Sequence, residues 1–192
     1  MRKSGPLLGL SALLLYCAAP AQDQVTPREI TAATRPAPAD LQDGAAVYAR
    51  TPDGGLELLR RGGNGLMCLT NDPARKRFQV VCYHESLEPF MARGRQLRLE
   101  GLDRAAVDST RQAEIEAGTL EFPDHPAALY SLNAKANEVE PETGLPAETR
   151  PLAVVYLPYA TAQSTGLTTT PAPGVPWLMY EGAPWAHVMI SP

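Results

Sequence analysis

Two cysteines separated by a short turn constrain the fold of this 192-residue chain more than any other feature. Residues 66–70 and 78–83 are strand-like, and the Asn-Asp-Pro sequence between them is typical of a turn. A hairpin centred on Arg75 places Cys68 directly opposite Cys82, where Cβ atoms lie about 4.5–5.5 Å apart. A disulfide needs only a modest adjustment of this spacing, so the sequence predicts a Cys68–Cys82 bridge. A catalytic cysteine or a metal-binding thiolate pair is the alternative, and either would need reduced sulfur.

The N-terminus has the three parts of a secretory signal. Two basic residues precede an apolar stretch over residues 6–16, and small residues then lead to an Ala-x-Ala site with cleavage between Ala21 and Gln22. This stretch is shorter than the roughly 20 residues that span a bilayer. We therefore predict that residues 1–21 are a signal peptide and that the mature protein, without a transmembrane span, is exported to the periplasm or the extracellular space. Disulfides persist in such oxidising compartments.

Cys17 leaves a second interpretation of the N-terminus open. A bacterial lipoprotein signal also ends its apolar stretch at a cysteine, which then becomes acylated. Tyr16 is bulky at the position directly before this cysteine, where that signal has a small residue. Cleavage after Ala21 is thus the favoured interpretation, with a lipid anchor at Cys17 as the alternative.

The mature chain is predicted to begin with a short helix and a proline-rich connector, together residues 22–40. Thr26 is a suitable N-cap, a proline follows at the first helical position, and Glu29 completes a capping box. The RPAPAD sequence over residues 35–40 is typical of a semi-rigid connector. A single α+β domain is therefore expected over residues 41–192.

Alternating apolar runs and turn signals predict an α+β fold with antiparallel strands, two or three helices and many loops. Residues 44–83 are expected to form a four-stranded meander that ends in the cysteine hairpin, and two helices should follow, capped by Ser86 and Asp103. The acidic stretch 133–150 is expected to be an exposed loop. The remaining strands are predicted at residues 127–132, 152–157, 177–180 and 187–190.

Charge and motifs exclude several functions. A formal net charge of −4 disfavours a nucleic-acid-binding protein, because such proteins usually present a basic face to phosphates. The sequence lacks the motifs of nucleophile elbows, phosphate-binding loops, dinucleotide-binding turns and dithiol redox sites. The His84-Glu-Ser-Leu-Glu88 segment begins like a zinc-protease helix, but Glu88 stands where the second histidine ligand belongs. The sequence therefore identifies no catalytic residue, and a non-catalytic role is favoured.

Three histidines are the candidates for a metal site. His84 lies at a predicted helix entrance with Glu88 one turn on, His125 lies in a loop, and His187 lies in the last predicted strand. If the fold brought these four side chains together, they could bind Zn or Cu with one coordination position left open. The competing interpretation gives each histidine a separate structural place, and no cofactor is then required.

Aromatic residues near the C-terminus are candidates for lining a ligand pocket. Trp177 and Trp185 occur in the same Gly-x-Pro-Trp setting, and Tyr156 and Tyr159 precede them. Together they could form a cleft for an apolar or carbohydrate-like ligand. The competing interpretation is core packing, because apolar side chains at every second position are typical of a half-buried strand.

Three segments in a fixed order give the chain a resemblance. GGNGLMCL at residues 62–69, CYHESLEPFM at 82–91 and the closing GVPWLM and PWAHVMI segments resemble a group of uncharacterised exported bacterial proteins. The resemblance covers most of the mature chain and implies export, without implying an activity, a fold or a ligand.

Two functions thus follow from the sequence. The favoured one is an exported binding or structural domain of the cell envelope, which recognises an envelope or extracellular partner or a small ligand. The alternative is a metal-binding protein or metal-dependent hydrolase that uses His84, His125 and His187. The positions of the three imidazoles decide between them, since rings more than about 10 Å apart cannot share one ion.

Overall fold

The computed structural model describes Met1 and residues 26–72 and 75–191. The predicted signal peptide, its cleavage site at Ala21 and Gln22, and Cys17 lie outside the described residues. The strands are β1 (Ala46–Arg50), β2 (Leu56–Arg60), β3 (Leu66–Leu69), β4 (Gln79–His84), β5 (Ala127–Asn133), β6 (Arg150–Tyr156), β7 (Trp177–Met179) and β8 (His187–Ile190). The helices are α1 (Pro27–Thr34), α2 (Ala39–Gln42), α3 (Glu88–Leu99), α4 (Arg104–Glu116) and α5 (Ala162–Thr165), with a 3₁₀ turn at Glu85–Leu87. Helices and a largely antiparallel sheet confirm the predicted α+β class.

The strand order corrects the predicted meander. All eight strands form one sheet in the order β2-β1-β3-β4-β5-β6-β8-β7. Strand β3 does not pair with β2 as a meander requires. It pairs with β1 in parallel, from Ala46 opposite Met67 to Tyr48 opposite Leu69. Burial explains the choice, because no residue of β2 is buried whereas Leu66, Cys68 and Leu69 of β3 are almost completely buried. Strand β2 is therefore an edge of the sheet.

The cysteine hairpin forms in the predicted register. Cys68 of β3 lies opposite Cys82 of β4, and the two sulfur atoms are joined in a disulfide with Cα atoms 4.0 Å apart. Both cysteines are fully buried, and Cys82 Sγ lies 3.3 Å from the Ala33 carbonyl oxygen of α1. The bridge is thus part of the hydrophobic core as well as a covalent link between two strands.

Helix α1 covers one face of the sheet, above the disulfide. Its capping box is formed as predicted, because Thr26 Oγ1 accepts the Glu29 N–H and the Glu29 carboxylate accepts the Thr26 N–H. Small alanine side chains let the helix lie close to the strands. The buried residues of this core layer are Ala33, Ala37, Ala45, Val47, Leu66, Cys68 and Cys82. Helix α1 and the connector after it therefore share a core with β1, β3 and β4.

Helices α3 and α4 cover the opposite face. Successive strand residues alternate between faces, so that Tyr83 points toward α3 while Cys82 points toward α1. Phe90 of α3 packs on Phe122 and Trp185, with ring centroids 5.0 and 5.7 Å apart. The buried residues of this layer are Leu69, Val81, Tyr83, Leu87, Phe90, Ala127, Val154, Tyr156 and Trp185.

Of the two N-caps predicted for α3 and α4, only that of α4 is observed. Asp103 caps α4 as predicted, with its Oδ1 accepting the Ala106 N–H at 2.9 Å. The predicted capping residue Ser86 lies instead within the 3₁₀ turn that precedes α3, and its own N–H is capped by the His84 imidazole. None of these helices in the described part of the chain is both long and apolar enough to cross a membrane.

Candidate functional site

The structure does not bring together the three histidines of the alternative metal-site hypothesis. The rings of His84 and His125 lie edge to face with centroids 6.4 Å apart. His187 is on β8, which lies three strands away from β4, and its side chain is on the sheet face covered by α3 and α4. His84 of β4 is two residues from Cys82, so its side chain is on the opposite face. Among the described residues, no group of three or more His, Cys, Asp or Glu side chains is placed to hold a metal ion. The described residues therefore do not assemble the three-histidine Zn or Cu site of that hypothesis.

The two neighbouring histidines have local structural partners. His84 Nδ1 accepts the Ser86 N–H at 3.3 Å and lies 2.9 Å from Ser86 Oγ, which fixes the entrance to α3. His125 Nδ1 lies 3.0 Å from the Asp124 carboxylate on the surface. The hydrogen bond from His125 is the main reason that the pKa of Asp124 is below its usual value. Each histidine thus matches the structural interpretation.

The four aromatic residues predicted to line a pocket are divided between core and surface. Tyr156 and Trp185 are buried, with exposed fractions of 7% and 3%, and both pack on Phe90. Trp177 is half-buried on the edge strand β7, and Tyr159 is 60% exposed. Burial raises the pKa of Tyr156 to about 12, so its hydroxyl keeps its proton at neutral pH. Core packing is therefore the interpretation that holds for Tyr156 and Trp185.

Helix α4 adds a buried ion pair to this aromatic core. The Arg111 guanidinium lies 3.7 Å above the centroid of the Phe90 ring and donates to Asp108 Oδ1 at 2.7 Å. The Tyr180 hydroxyl donates to Asp108 Oδ2 at 2.9 Å and accepts from Arg104 at 3.1 Å. These contacts attach α4 to α3 and to the segment that follows β7.

His187 is held neutral within the same core. Its Nδ1–H donates to the Trp185 carbonyl oxygen at 2.8 Å, and its ring lies between Tyr156 and Tyr180. Burial is the main cause that lowers the pKa of His187 below its ordinary value. The imidazole therefore contributes packing and one hydrogen bond, and protonating it would place a charge in an apolar environment.

The lowered pKa of His187 predicts a loss of stability in mild acid. The unfolded imidazole takes up a proton below its ordinary pKa of 6.5, whereas the buried one resists protonation, so stability falls as the pH drops below that value. We expect the difference in free energy of unfolding between pH 7.5 and pH 5.0 to be smaller in His187→Gln than in the wild type. Urea unfolding at both pH values measures it, with the exposed His125→Gln as the control. An equal difference in His187→Gln and the wild type would contradict the prediction.

A cleft opens between the β1–β2 hairpin and α3. Its volume of about 500 Å³ lies within the range of roughly 300–1,000 Å³ that is typical of small-molecule sites. Side chains of β1, β2 and β3, the hairpin turn (the outer wall) and α3 (the inner wall) line it, with polar and apolar groups in about equal share. The lining residues are Tyr48, Asp53, Gly54, Gly55, Leu56, Met67, Glu88, Ala92, Arg95 and Gln96. We take this hairpin cleft as the candidate site.

A charged network forms the inner wall of the hairpin cleft. Arg95 Nη2 donates to Glu88 Oε1 at 2.5 Å, and the Tyr83 hydroxyl donates to Glu88 Oε2 at 2.5 Å. Arg95 Nε also donates to the Gly54 carbonyl oxygen at 3.0 Å, which ties the helix to the hairpin turn. Burial and then the Glu88 charge raise the pKa of Tyr83, so the phenol keeps the proton that it donates. Glu88, predicted as a metal ligand, is instead fully engaged in an ion pair.

The sequence contained part of the signal for this network. Glu88 and Arg95 are seven residues apart, a spacing that places both on one face of a helix. Tyr83 follows the buried Cys82 and therefore had to face the opposite side of the sheet, toward that helix. Neither pattern identifies Gly54 as a partner, because that contact joins residues far apart in the chain.

Comparison with protein-family models, curated proteins and solved structures finds no match to this chain. Its function is therefore inferred from the geometry of its own residues.

Proposed function

We propose that this chain is an exported, non-catalytic binding domain that takes a small ligand in the hairpin cleft. The observation that carries the proposal is a cleft of about 500 Å³ whose lining combines apolar side chains from the strands with polar groups from the turn and α3. In small-molecule sites, apolar side chains give affinity and polar groups fix the orientation of the ligand. The ligand that fits is a small molecule with an apolar body and a hydrogen-bonding group.

The partners of Glu88 support binding over catalysis. A carboxylate that acts as a general base loses its negative charge when it takes a proton, which is unfavourable where that charge holds an ion pair. Both oxygens of the Glu88 carboxylate already accept hydrogen bonds, one from Arg95 and one from Tyr83. A guanidinium carries five N–H groups, and Arg95 donates to Gly54, to Tyr83 and to both Glu88 oxygens, which leaves one N–H on Nη2. The wall can therefore donate a hydrogen bond to a ligand without giving up its own ion pair.

The disulfide supports the exported location. A buried Cys68–Cys82 bridge is compatible with the periplasm or the extracellular space, where disulfides persist. A signal peptide at residues 1–21 and a place in the cell envelope are the more specific parts of this proposal. The intact mass of the protein from its native host tests them, because cleavage after Ala21 and acylation at Cys17 give different masses.

Binding in the cleft can be tested with two small aromatic probes, indole and benzamide. We expect both to shift the backbone amide resonances of Gly54, Gly55 and Ala92 in ¹H–¹⁵N NMR spectra, since these residues line the cleft. The variant Ala92→Trp should fill the cleft from the helix and weaken binding of either probe by about tenfold or more. The matched control is Ala113→Trp on the exposed face of α4, which should bind as the wild type does.

Two outcomes would overturn the proposed function. One is probe binding that Ala92→Trp leaves unchanged, because the ligand would then lie elsewhere. The other is the absence of any shift at the cleft residues up to millimolar probe concentrations.

A further inference from the structure

Four side chains form a square on one face of the sheet, at the edge made by β7 and β8. The register pairs Met179 with His187 and Trp177 with Met189 across these two strands. Directly opposed residues of an antiparallel pair share a face, with Cβ atoms about 4.5–5.5 Å apart. Residues two positions apart along a strand share that face at a spacing of about 7 Å. We call Trp177, Met179, His187 and Met189 the methionine square.

Packing shows which face of the sheet the methionine square occupies. Leu178 and Val188, which lie between its members along the strands, are buried in a separate cluster on the opposite face. Met189 packs against the core layer under α3 and α4. His187 contacts Tyr156 of the same layer, with ring centroids 5.0 Å apart. The four side chains of the square therefore project together from the face that α3 and α4 cover.

The imidazole of the methionine square has a free nitrogen lone pair. His187 Nδ1–H donates to the Trp185 carbonyl oxygen at 2.8 Å, so Nε2 of the neutral ring carries no proton. Nε2 has no hydrogen-bond partner among the described residues, although His187 is only 8% exposed. Histidines that bind metal ions commonly donate their other ring N–H to a backbone carbonyl in the same way, which fixes the tautomer and the orientation of the ring.

The two methionines place thioether sulfurs next to this imidazole. Met179 lies across the strand pair from His187, and Met189 lies two residues further along β8. Both methionines are half-buried, so solvent reaches their side chains. A methionine side chain is unbranched and rotates about three bonds, so each sulfur can turn toward His187 Nε2 without a movement of the strands. Thioether and imidazole donors together suit soft ions such as Cu(I).

The acidic side chain near His187 is already engaged in other contacts. Asp108 of α4 accepts from Arg111 through one carboxylate oxygen and from the Tyr180 hydroxyl through the other. Among the described residues, no three His, Cys, Asp or Glu side chains come together at this face or elsewhere in a way that could hold a metal ion. Zinc sites are built from such residues, so the methionine square does not suit Zn²⁺.

The indole of Trp177 completes the methionine square. It is half-buried, and it lies directly opposite Met189 and two residues from Met179 on the same face. The face of an indole attracts a cation that lies within about 6 Å of the ring centroid. A cation held between the two sulfurs would therefore have an aromatic ring at its side.

We propose that His187, Met179 and Met189 form a binding site for a soft monovalent metal ion, Cu(I). The pairing of β7 with β8 brings the three donors to one face, and Trp177 lies beside them. Thioethers suit an oxidising compartment, with which the buried Cys68–Cys82 bridge is compatible, because thiols form disulfides there and thioethers do not. The methionine square lies at the opposite edge of the sheet from the hairpin cleft and does not depend on it.

Titration with silver nitrate tests the site, because Ag(I) has the charge and ligand preference of Cu(I) and is stable in air. The full chain is ¹³C-labelled at the methionine methyl groups, treated with N-ethylmaleimide to block any free thiol, and kept in chloride-free buffer. We expect one equivalent of Ag(I) to shift the methyl resonances of Met179 and Met189 and to leave those of Met67 and Met91 in place. The dissociation constant should lie below about 10 μM.

Leucine variants test the role of each sulfur. Met179→Leu and Met189→Leu should each weaken Ag(I) binding by about tenfold or more, because each removes one thioether and keeps a similar apolar volume. The matched control is Met91→Leu on α3, which removes a thioether outside the square and should retain the affinity. His187→Gln should weaken binding at least as much as the leucine variants. Anaerobic titration with Cu(I) against the chelator bicinchoninate should give the same order of affinities.

Each outcome supports or overturns the metal site. Shifts confined to Met179 and Met189, with binding weakened in their leucine variants and kept in Met91→Leu, support it. Equal shifts at every methionine would overturn it, because adventitious binding of Ag(I) to exposed thioethers would then explain the signal. An unchanged affinity in His187→Gln, an equal response to zinc sulfate, or no shift up to about 1 mM Ag(I) would also overturn it. Indole binding, measured on the same samples, reports separately on the hairpin cleft.

Discussion

Replacement of Phe90 by alanine is expected to lower the free energy of unfolding by about 3–5 kcal/mol, the range for removing a buried aromatic side chain. Phe90 is only 2% exposed and its ring contacts Phe122, Tyr156 and Trp185. The same ring supports the Arg111 guanidinium, so its loss also removes a cation–π contact. Chemical denaturation followed by tryptophan fluorescence measures the effect.

Leu99→Ala is the matched control for Phe90→Ala. Leu99 lies on the same helix and is 57% exposed, so its truncation should change the free energy of unfolding far less. A loss below about 1 kcal/mol in Phe90→Ala would show that α3 is not anchored through this side chain.

Removal of the disulfide is expected to cost about 3 kcal/mol in the chain-entropy model, because the bridge closes a loop of residues separated by 14 positions. The double variant Cys68→Ala/Cys82→Ala removes it without leaving a free thiol. Because both cysteines are fully buried under α1, the variant also loses packing against Ala33. Guanidinium chloride unfolding measures the change.

Reduction provides an independent test of the same bridge. Dithiothreitol should lower the unfolding midpoint of the wild type toward that of the double variant and leave the variant unchanged. A wild-type midpoint that does not respond to reduction under denaturing conditions would contradict the predicted contribution.

The cysteine hairpin could be predicted because its determinants are local. A turn sequence, two strand-like runs and an alternation of faces all lie within about 20 residues, and they agree on one register that places Cys68 opposite Cys82. The capping box at Thr26 is local in the same way. Such features depend on neighbours in the sequence, so their prediction does not require the rest of the fold.

The strand order could not be predicted in the same way. Both β2 and β3 are able to pair with β1, and the outcome depends on how much apolar surface each arrangement buries. Sequential strands are neighbours often enough that a meander was the natural expectation. The parallel pairing of β1 with β3 is decided by the burial of Leu66 and Leu69, which is a property of the whole sheet.

The candidate sites, like the strand order, depend on the whole fold. His84 and His187 looked equivalent in the sequence. In the fold they lie on strands three positions apart, and the alternation of side chains along each strand places them on opposite faces of the sheet. The hairpin cleft depends on a contact between Arg95 and Gly54, residues that only the folded chain brings together. Chemistry at such sites arises from topology, and residue type alone does not reveal it.

The edge position of β2 has a consequence for how the proposed ligand site can change. Strand β2 has one neighbour in the sheet, and the turn that it shares with β1 supplies Asp53, Gly54 and Gly55 to the cleft. Substitutions or insertions in that turn change the lining of the cleft while the disulfide and both helix-covered cores keep their contacts. The proposed ligand site and the contacts that maintain stability thus lie in different segments, which makes the hairpin turn the natural place to diversify or redesign recognition.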